Sequence, residues 1–414
     1  MRLRKINIHA EVLILLGIAL FFFFRFSYRH LLNPSSIYLM DFRVMHHMAQ
    51  AFLHGNLDLY HVMYQPNFEF KYAPIWGLFF IPFGFFSLQT SSILWEFFTL
   101  LLMIANLHMI GLILKRYKIS YHPLVYVAGV IVLSKVIVSE IMQGQTNFLI
   151  SYLILLSIYL SLTRRWERVS SLVLSLAISL KLPALLFLFF FLKKKNFKVL
   201  MWAFIFFIGT NTIAAILLNP MHPLKLFSDW LNLLLNSGSF LLFNDASRSI
   251  FTLFGRYLSD HTRFHIHFLS FSIETIKGLV MTLGFVMTLI SLFPFFKSKR
   301  RDLEKEEVLT LSTLMILIVI FNPSSWAINY VGLLLPVIMA VIVAGHILFQ
   351  SRISLTLLSL LMICNILLHK KAWVLMGFDR AYDADTLFLP LPIFGILLYI
   401  FLIKAGRDSL LVKT

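Results

Sequence analysis

The sequence predicts an all-α fold: a polytopic integral membrane protein whose helical bundle holds about 10–13 membrane helices. Three observations predict it. Of 414 residues, 59% are hydrophobic and 43 are phenylalanine, with a mean hydropathy of +0.84, outside the range of soluble domains. Apolar runs close to the roughly 20 residues needed to span a bilayer recur along the whole chain. The net charge of +17 comes from lysines and arginines held in short clusters between those runs, where the positive-inside rule puts them. The clusters therefore report orientation and contact with membrane lipid, and they argue against a nucleic acid partner. The single cysteine, Cys364, lies in an apolar run, which leaves no intramolecular disulfide and no thiolate metal site.

Taken in order, Arg2, Arg4 and Lys5 precede an apolar run that has no small-residue cleavage site after it. That pattern reads as a retained anchor with a cytoplasmic N-terminus in a multi-pass protein of the cell membrane. Crossings are expected near 11–32, 92–114, 121–139, 147–163, 199–218, 270–296, 307–321, 327–349, 353–369 and 386–404. Two apolar stretches depart from this. Residues 73–88, introduced by Tyr72-Ala-Pro74 and carrying Pro82, are expected to form a juxtamembrane or re-entrant helix, because a full crossing would invert every later basic cluster. Residues 169–192 have basic flanks on both sides and Lys181-Leu-Pro183 in the middle, so paired half-helices that break at Lys181 are expected. The basic clusters at 115–118, 164–168, 193–198, 297–301 and 404–413 then share the inner side. The outer loops are 33–91, 140–146, 219–269, 322–326 and 370–385, with an amphipathic piece at 224–242. Lys370, Lys371 and Arg380 run against the pattern, offset by Asp379, Asp383 and Asp385. The chain reads as a single domain over 1–414.

This topology collects unusual polar groups on the outer side. Asp41 opens the loop after the first span and is followed by Arg43, His46, His47, His54, Asp58, Tyr60, Tyr64 and Tyr72. A carboxylate at the membrane surface can meet a lipid-linked reagent and a water-borne one, which suits a general base, although a solvated carboxylate beside Arg43 fits as well. In the short loop around Glu140, Gln145 and Asn147 offer amides for sugar hydroxyls, or Asn147 caps the next helix. Lys181 among apolar residues calls for an anion such as a phosphate. Asn244, Ser247 and Arg248 form a second candidate group for a phosphate or hydroxyls, with a solvated turn as the other reading. Trp326, in Asn322-Pro-Ser-Ser-Trp326, suits a stacking platform or an interfacial anchor. His261, His265 and His267 lack a ligand pattern, and no metal or other cofactor is expected.

Several short pieces, in this order, carry a resemblance to a known family. They are Asp41-Phe-Arg43, Gly55-Asn-Leu-Asp-Leu-Tyr60, Tyr72-Ala-Pro74, Gly144-Gln145-Thr-Asn147, Ser179-Leu-Lys181-Leu-Pro183, Asn244-Asp-Ala-Ser247 and Asn322-Pro-Ser-Ser-Trp326. Together they resemble glycosyltransferase family 87, polyprenyl-phosphate-sugar-dependent membrane enzymes of the GT-C superfamily, over residues 10–340. The resemblance implies a GT-C bundle in which Asp41 is the catalytic acid of the outer loop 33–91 and the tyrosine-proline helix lies along the membrane. Two departures stand out. The histidine that the family often carries after the serine-tryptophan pair is absent from Ala327-Ile328-Asn329-Tyr330, and Leu182 alone separates Lys181 from Pro183, where a threonine is usual.

The expectation is a mannosyltransferase-like enzyme that moves a hexose or pentose from a polyprenyl monophosphate to a lipid or glycan acceptor, with inversion. Asp41 takes the acceptor proton, Lys181 and Arg248 hold the phosphate, and Tyr72, Gln145, Asn147, Asn244, Ser247 and Trp326 line the sugar and acceptor sites. A transporter or lipid-linked sugar flippase is the alternative, since it too uses broken helices and intramembrane charge.

Overall fold

The computed structural model describes residues 8–33, 39–65, 68–241, 247–259, 268–293, 303–323, 325–347, 352–367 and 389–411. Asn244, the three histidines at 261, 265 and 267, and the expected outer loop 370–385 lie outside them. The described chain is almost wholly helical. Its first part comprises α1 (Ile8–Phe22), α2 (Tyr28–Leu32), α3 (Met40–Leu53), α4 (Pro74–Phe80), α5 (Leu88–Arg116), α6 (Leu124–Val132) and α7 (Ser134–Gln143). Next come α8 (Asn147–Ser161), α9 (Glu167–Leu180), α10 (Leu186–Lys193), α11 (Phe197–Leu218) and α12 (Pro223–Leu241). The last part holds α13 (Ile250–Leu258), α14 (Ile273–Leu292), α15 (Leu303–Ile320), α16 (Leu334–Ile347), α17 (Arg352–Leu367) and α18 (Pro390–Leu411). One small hairpin, β1 (Met63–Gln65) with β2 (Phe68–Glu69), decorates the loop after α3.

Five continuous helical segments among the described residues are long and apolar enough to span a membrane: His9–Leu32, Leu88–Arg116, Phe197–Leu218, Ile273–Leu292 and Ala327–Gly345. The protein is therefore multi-pass. The run expected at 121–139 is instead a pair of helices, α6 and α7, bent by 70°. The chain leaves helical geometry at Leu133 (φ −97°, ψ 10°), and the half that follows carries Ser134, Lys135 and Glu140, which a straight span would place in hydrocarbon. The runs expected at 147–163 and 353–369 form helices of 15 and 16 residues, a length that suits helices enclosed by other helices better than lone spans.

The two exceptional stretches follow the sequence closely. Helix α4 passes at Ile81 into a 3-10 turn with Pro82 near its start, and the whole of Pro74–Phe85 reaches only about 18 Å, short of the roughly 30 Å hydrocarbon core. Helix α9 stops at Lys181, whose backbone is extended (φ −147°, ψ 118°), and a 3-10 turn over Leu182–Leu185 leads into α10. The proline cannot donate to Ser179, so the ladder breaks beside the one cation in the run.

The contacts gather the chain into two compact units. One takes His9–Ile113 and Val138–Ser237; the other takes Met1–Ile8, Leu114–Ile137 and Gly238–Thr414. In the first, α9 packs between α8 and α11, and α4 packs on α11 and α3. In the second, α18 packs against α15, α16 and α17, and α13 lies on α14.

Candidate active site

Asp41, Tyr72, Gln145, Asn147 and Lys181, which the sequence places in three separate stretches, all fall in the first unit and connect there. Asp41 sits in the first turn of α3, where the helix dipole favours a carboxylate. The residue before that helix, Leu39, has a left-handed backbone (φ 32°) and donates its N–H to the Met142 carbonyl at 3.1 Å, which ties the start of α3 to the end of α7. The tie depends on Gly144. Its φ is +68°, and a Cβ there would lie 2.8 Å from the Cβ of Phe42 and 3.2 Å from that of Leu39, so no larger residue lets the two segments approach. Trp95 closes the joint from behind: its indole N–H donates to the Gly144 carbonyl at 2.9 Å, and its ring stacks on Phe42 at 5.3 Å between centroids.

This packing sets Gln145 against Asp41. One carboxylate oxygen is hydrogen-bonded by the Gln145 side chain, and the Lys181 ammonium acts on the same group through space. The other oxygen, Oδ2, is buried and has no hydrogen-bond partner in the protein. Burial raises the Asp41 pKa above the usual carboxylate range, and the Gln145 hydrogen bond and the Lys181 charge pull it back down. A carboxylate oxygen left without a protein donor keeps its capacity to accept a proton.

Lys181 is held by Asn147, to whose Oδ1 its Nζ donates at 2.6 Å. Asn147 in turn gives both its N–H groups to Glu140: the backbone N–H reaches Oε1 at 2.7 Å and Nδ2 reaches Oε2 at 2.8 Å. Glu140, fully buried, also accepts the Phe148 N–H at 3.3 Å, so it satisfies donors at the start of α8 that would otherwise be orphaned. The expectation that Asn147 faces a sugar meets a different geometry, because both ends of its amide are already used inside the protein. The charges that act on Lys181 are likewise internal, those of Glu140 and Asp41.

Tyr72 shares a hydrogen bond with Thr146 at 3.1 Å between hydroxyl oxygens, and burial pushes its phenol pKa far up, which keeps it neutral. Its backbone is pinned by Tyr60, whose hydroxyl donates to the Tyr72 carbonyl at 2.9 Å. The next residue, Ala73, donates to the Ser179 carbonyl at 3.1 Å, two positions before Lys181. Asn211 of α11, fully buried, completes the frame: its Nδ2 reaches Ser179 Oγ at 2.8 Å, and its Oδ1 accepts the Ile75 N–H at 3.3 Å. Sequence reasoning missed Asn211 and Thr146. A lone asparagine inside an apolar span is the signal that marks Asn211.

The fold also brings Asp229 of α12 to Asp58 and His61. Their ligand atoms lie within 4.8 Å of one another, but Asp58 and His61 are exposed, and Asp58 pairs with Lys225 at 2.8 Å. The Lys225 hydrogen bond lowers the Asp58 pKa, and the group reads as a surface ion pair.

The second unit gathers the remaining candidates. Ser247 pairs with Trp326 in an isolated antiparallel bridge, Arg248 N–H donates to the Ser325 carbonyl at 2.6 Å, and Ser247 Oγ donates to the Pro323 carbonyl at 3.1 Å. Arg248 is buried, with Nη1 donating to the Ser247 carbonyl at 2.9 Å, and Tyr330 caps the Arg248 carbonyl at 2.6 Å. The two motifs that the sequence sets in separate loops are thus one joined structure.

Among known proteins, the family model described as Glycosyltransferase family 87 matches residues 70–323, more than half of the chain. The match takes in Tyr72, Glu140, Gln145, Asn147, Lys181 and Arg248 and begins after Asp41. No curated protein matches the chain.

Proposed function

The chain belongs to glycosyltransferase family 87, and from that premise we propose that it transfers a hexose or pentose, with mannose the first candidate, from a polyprenyl monophosphate to a lipid or glycan acceptor at the extracytoplasmic face of the cell membrane. Asp41 is the general base. The observation that carries this reading is its buried, unpartnered Oδ2 beside the Lys181 ammonium. In the step proposed, the acceptor oxygen attacks the anomeric carbon and its proton passes to Asp41, while the bond from that carbon to the phosphate oxygen breaks and the electron pair leaves with the phosphate. Attack opposite the leaving group inverts the linkage. Lys181 offsets the charge that grows on the departing phosphate, Tyr72 and Gln145 orient the reacting groups, and Arg248 is a second candidate cation, tested by itself. The basic clusters support an N-terminus in the cytoplasm.

The test supplies membranes that contain the protein with radiolabelled polyprenyl-phosphate sugars and follows the label by thin-layer chromatography. A labelled glycolipid or glycan made from one donor only, and absent from membranes without the protein, is the expected result. Movement of the donor across the membrane with no glycosyl product contradicts the reading and favours a flippase.

A further inference from the structure

The Glu140 carboxylate is fully buried, and the mechanism above gives it no chemical step. Its hydrogen bonds show a different use. Three donors, the N–H groups of Asn147 and Phe148 and the Asn147 side-chain amide, converge on its two oxygens. Because Nδ2 of Asn147 is claimed by Glu140 at 2.8 Å, the amide has one orientation, and its Oδ1 faces Lys181 Nζ at 2.6 Å. Were the amide turned over, an NH2 group would confront an ammonium, two donors with no acceptor between them. The lysine itself has no helix to fix it, since it stands at the break between α9 and the following turn.

We propose that Glu140 is a positioning residue that acts through Asn147, locking the amide so that Lys181 is held ready for the phosphate of the lipid-linked donor. The proposal rests on the reading of Lys181 as a phosphate ligand. It treats Asn147 as an internal spacer between carboxylate and ammonium, and Glu140 as the group that orients a cation without touching substrate. Glu140→Gln leaves one acceptor oxygen for three donors, so the amide is no longer locked from the Glu140 side. Asn147→Ala removes the link but leaves Glu140 its two backbone donors, so the start of α8 keeps its cap.

The full-length protein, purified into lipid nanodiscs, is titrated with polyprenyl monophosphate, with the uncharged polyprenol as control, and thermal midpoints establish that each variant is folded. Lys181→Met, Asn147→Ala and Glu140→Gln are each expected to weaken the phosphate-dependent part of binding by about tenfold, the scale of one hydrogen bond to a charged group. Glu140→Gln combined with Lys181→Met is expected to bind no more weakly than Lys181→Met alone, because Glu140 acts only through the lysine. Should Glu140→Gln not fold, Asn147→Ala carries the same test. Parental affinity in Asn147→Ala, or losses that add in the double variant, would overturn the positioning role while Lys181 remains a phosphate ligand. Parental affinity in Lys181→Met would instead remove the phosphate reading and this proposal with it.

Discussion

Around Asp41 the polar groups are side chains turned toward one another, with one carboxylate oxygen left over; around Arg248 main-chain N–H and C=O groups take part, beside linked hydroxyls of Ser247, Ser249 and Thr252. In the first unit side-chain hydrogen bonds link Glu140, Asn147 and Lys181, the Lys181 charge acts on Asp41 through space, and Gln145 bonds one Asp41 oxygen while Oδ2 has no partner. In the second, the N–H and C=O of Arg248 are taken by Ser325 and Tyr330, and Ser247 is bridged to Trp326. Both clusters are buried, and burial alone does not separate them. Each also leaves a buried polar atom without a hydrogen bond, Asp41 Oδ2 in one and Ser325 Oγ in the other, so the lesson lies in the chemistry of that atom. A hydroxyl oxygen has little basicity, whereas a carboxylate oxygen is a base that can take a proton.

The contrast is tested most severely at Asp41. Asp41→Asn keeps the volume and can still pair with Gln145, but it cannot take up a proton, so steady-state transfer should fall at least about a hundredfold with expression unchanged. An equal loss in Arg248→Met, measured in the same assay, would erase the distinction between the clusters. Lys181→Met should act next most strongly, with about tenfold weaker donor binding. It also carries a sign that can be checked. Burial holds the Asp41 pKa up and the Lys181 charge pulls it down, so loss of the lysine should raise it further and move the acid limb of the pH–rate profile to higher pH. Gly144→Ala imposes a side chain on a left-handed backbone and against Phe42. A cost of about 1–3 kcal/mol is expected, read as a lower thermal midpoint in detergent together with reduced transfer as Gln145 shifts away from Asp41. The smallest effect is expected at the surface: Lys225→Ala removes the exposed pair with Asp58 and should leave the thermal midpoint unchanged within error.

Much of the first cluster was legible in the sequence because each member breaks a local rule. Lys181 is a cation in an apolar run next to a proline, Gly144 and Gln145 interrupt two apolar helices, and Asp41 follows directly on a span. The break at Lys181 and the short helix at Pro74 were readable from charge and proline placement alone. What the sequence could not show was where long-range partners would meet. From the sequence Asn147 suits a sugar hydroxyl or a helix cap, and only the fold reveals that Glu140 and Lys181 use both ends of its amide. The bridge between Ser247 and Trp326 joins segments far apart in the chain, with no periodic pattern to announce it. The bend at Leu133 was hidden for the opposite reason: hydropathy averages over a window, and a run that is apolar on average reads as straight.

The central claim is that Asp41 takes the acceptor proton, and the most direct measurement is the single-turnover rate of sugar transfer from saturating donor, followed across pH in the parent and in Asp41→Asn. The account predicts a parental rate that rises with pH through one ionisation above the ordinary aspartate range, and a variant rate at least about a hundredfold lower that does not depend on that ionisation. A variant that transfers sugar at near-parental rate with the same pH dependence would contradict it and would place the base elsewhere in the chain.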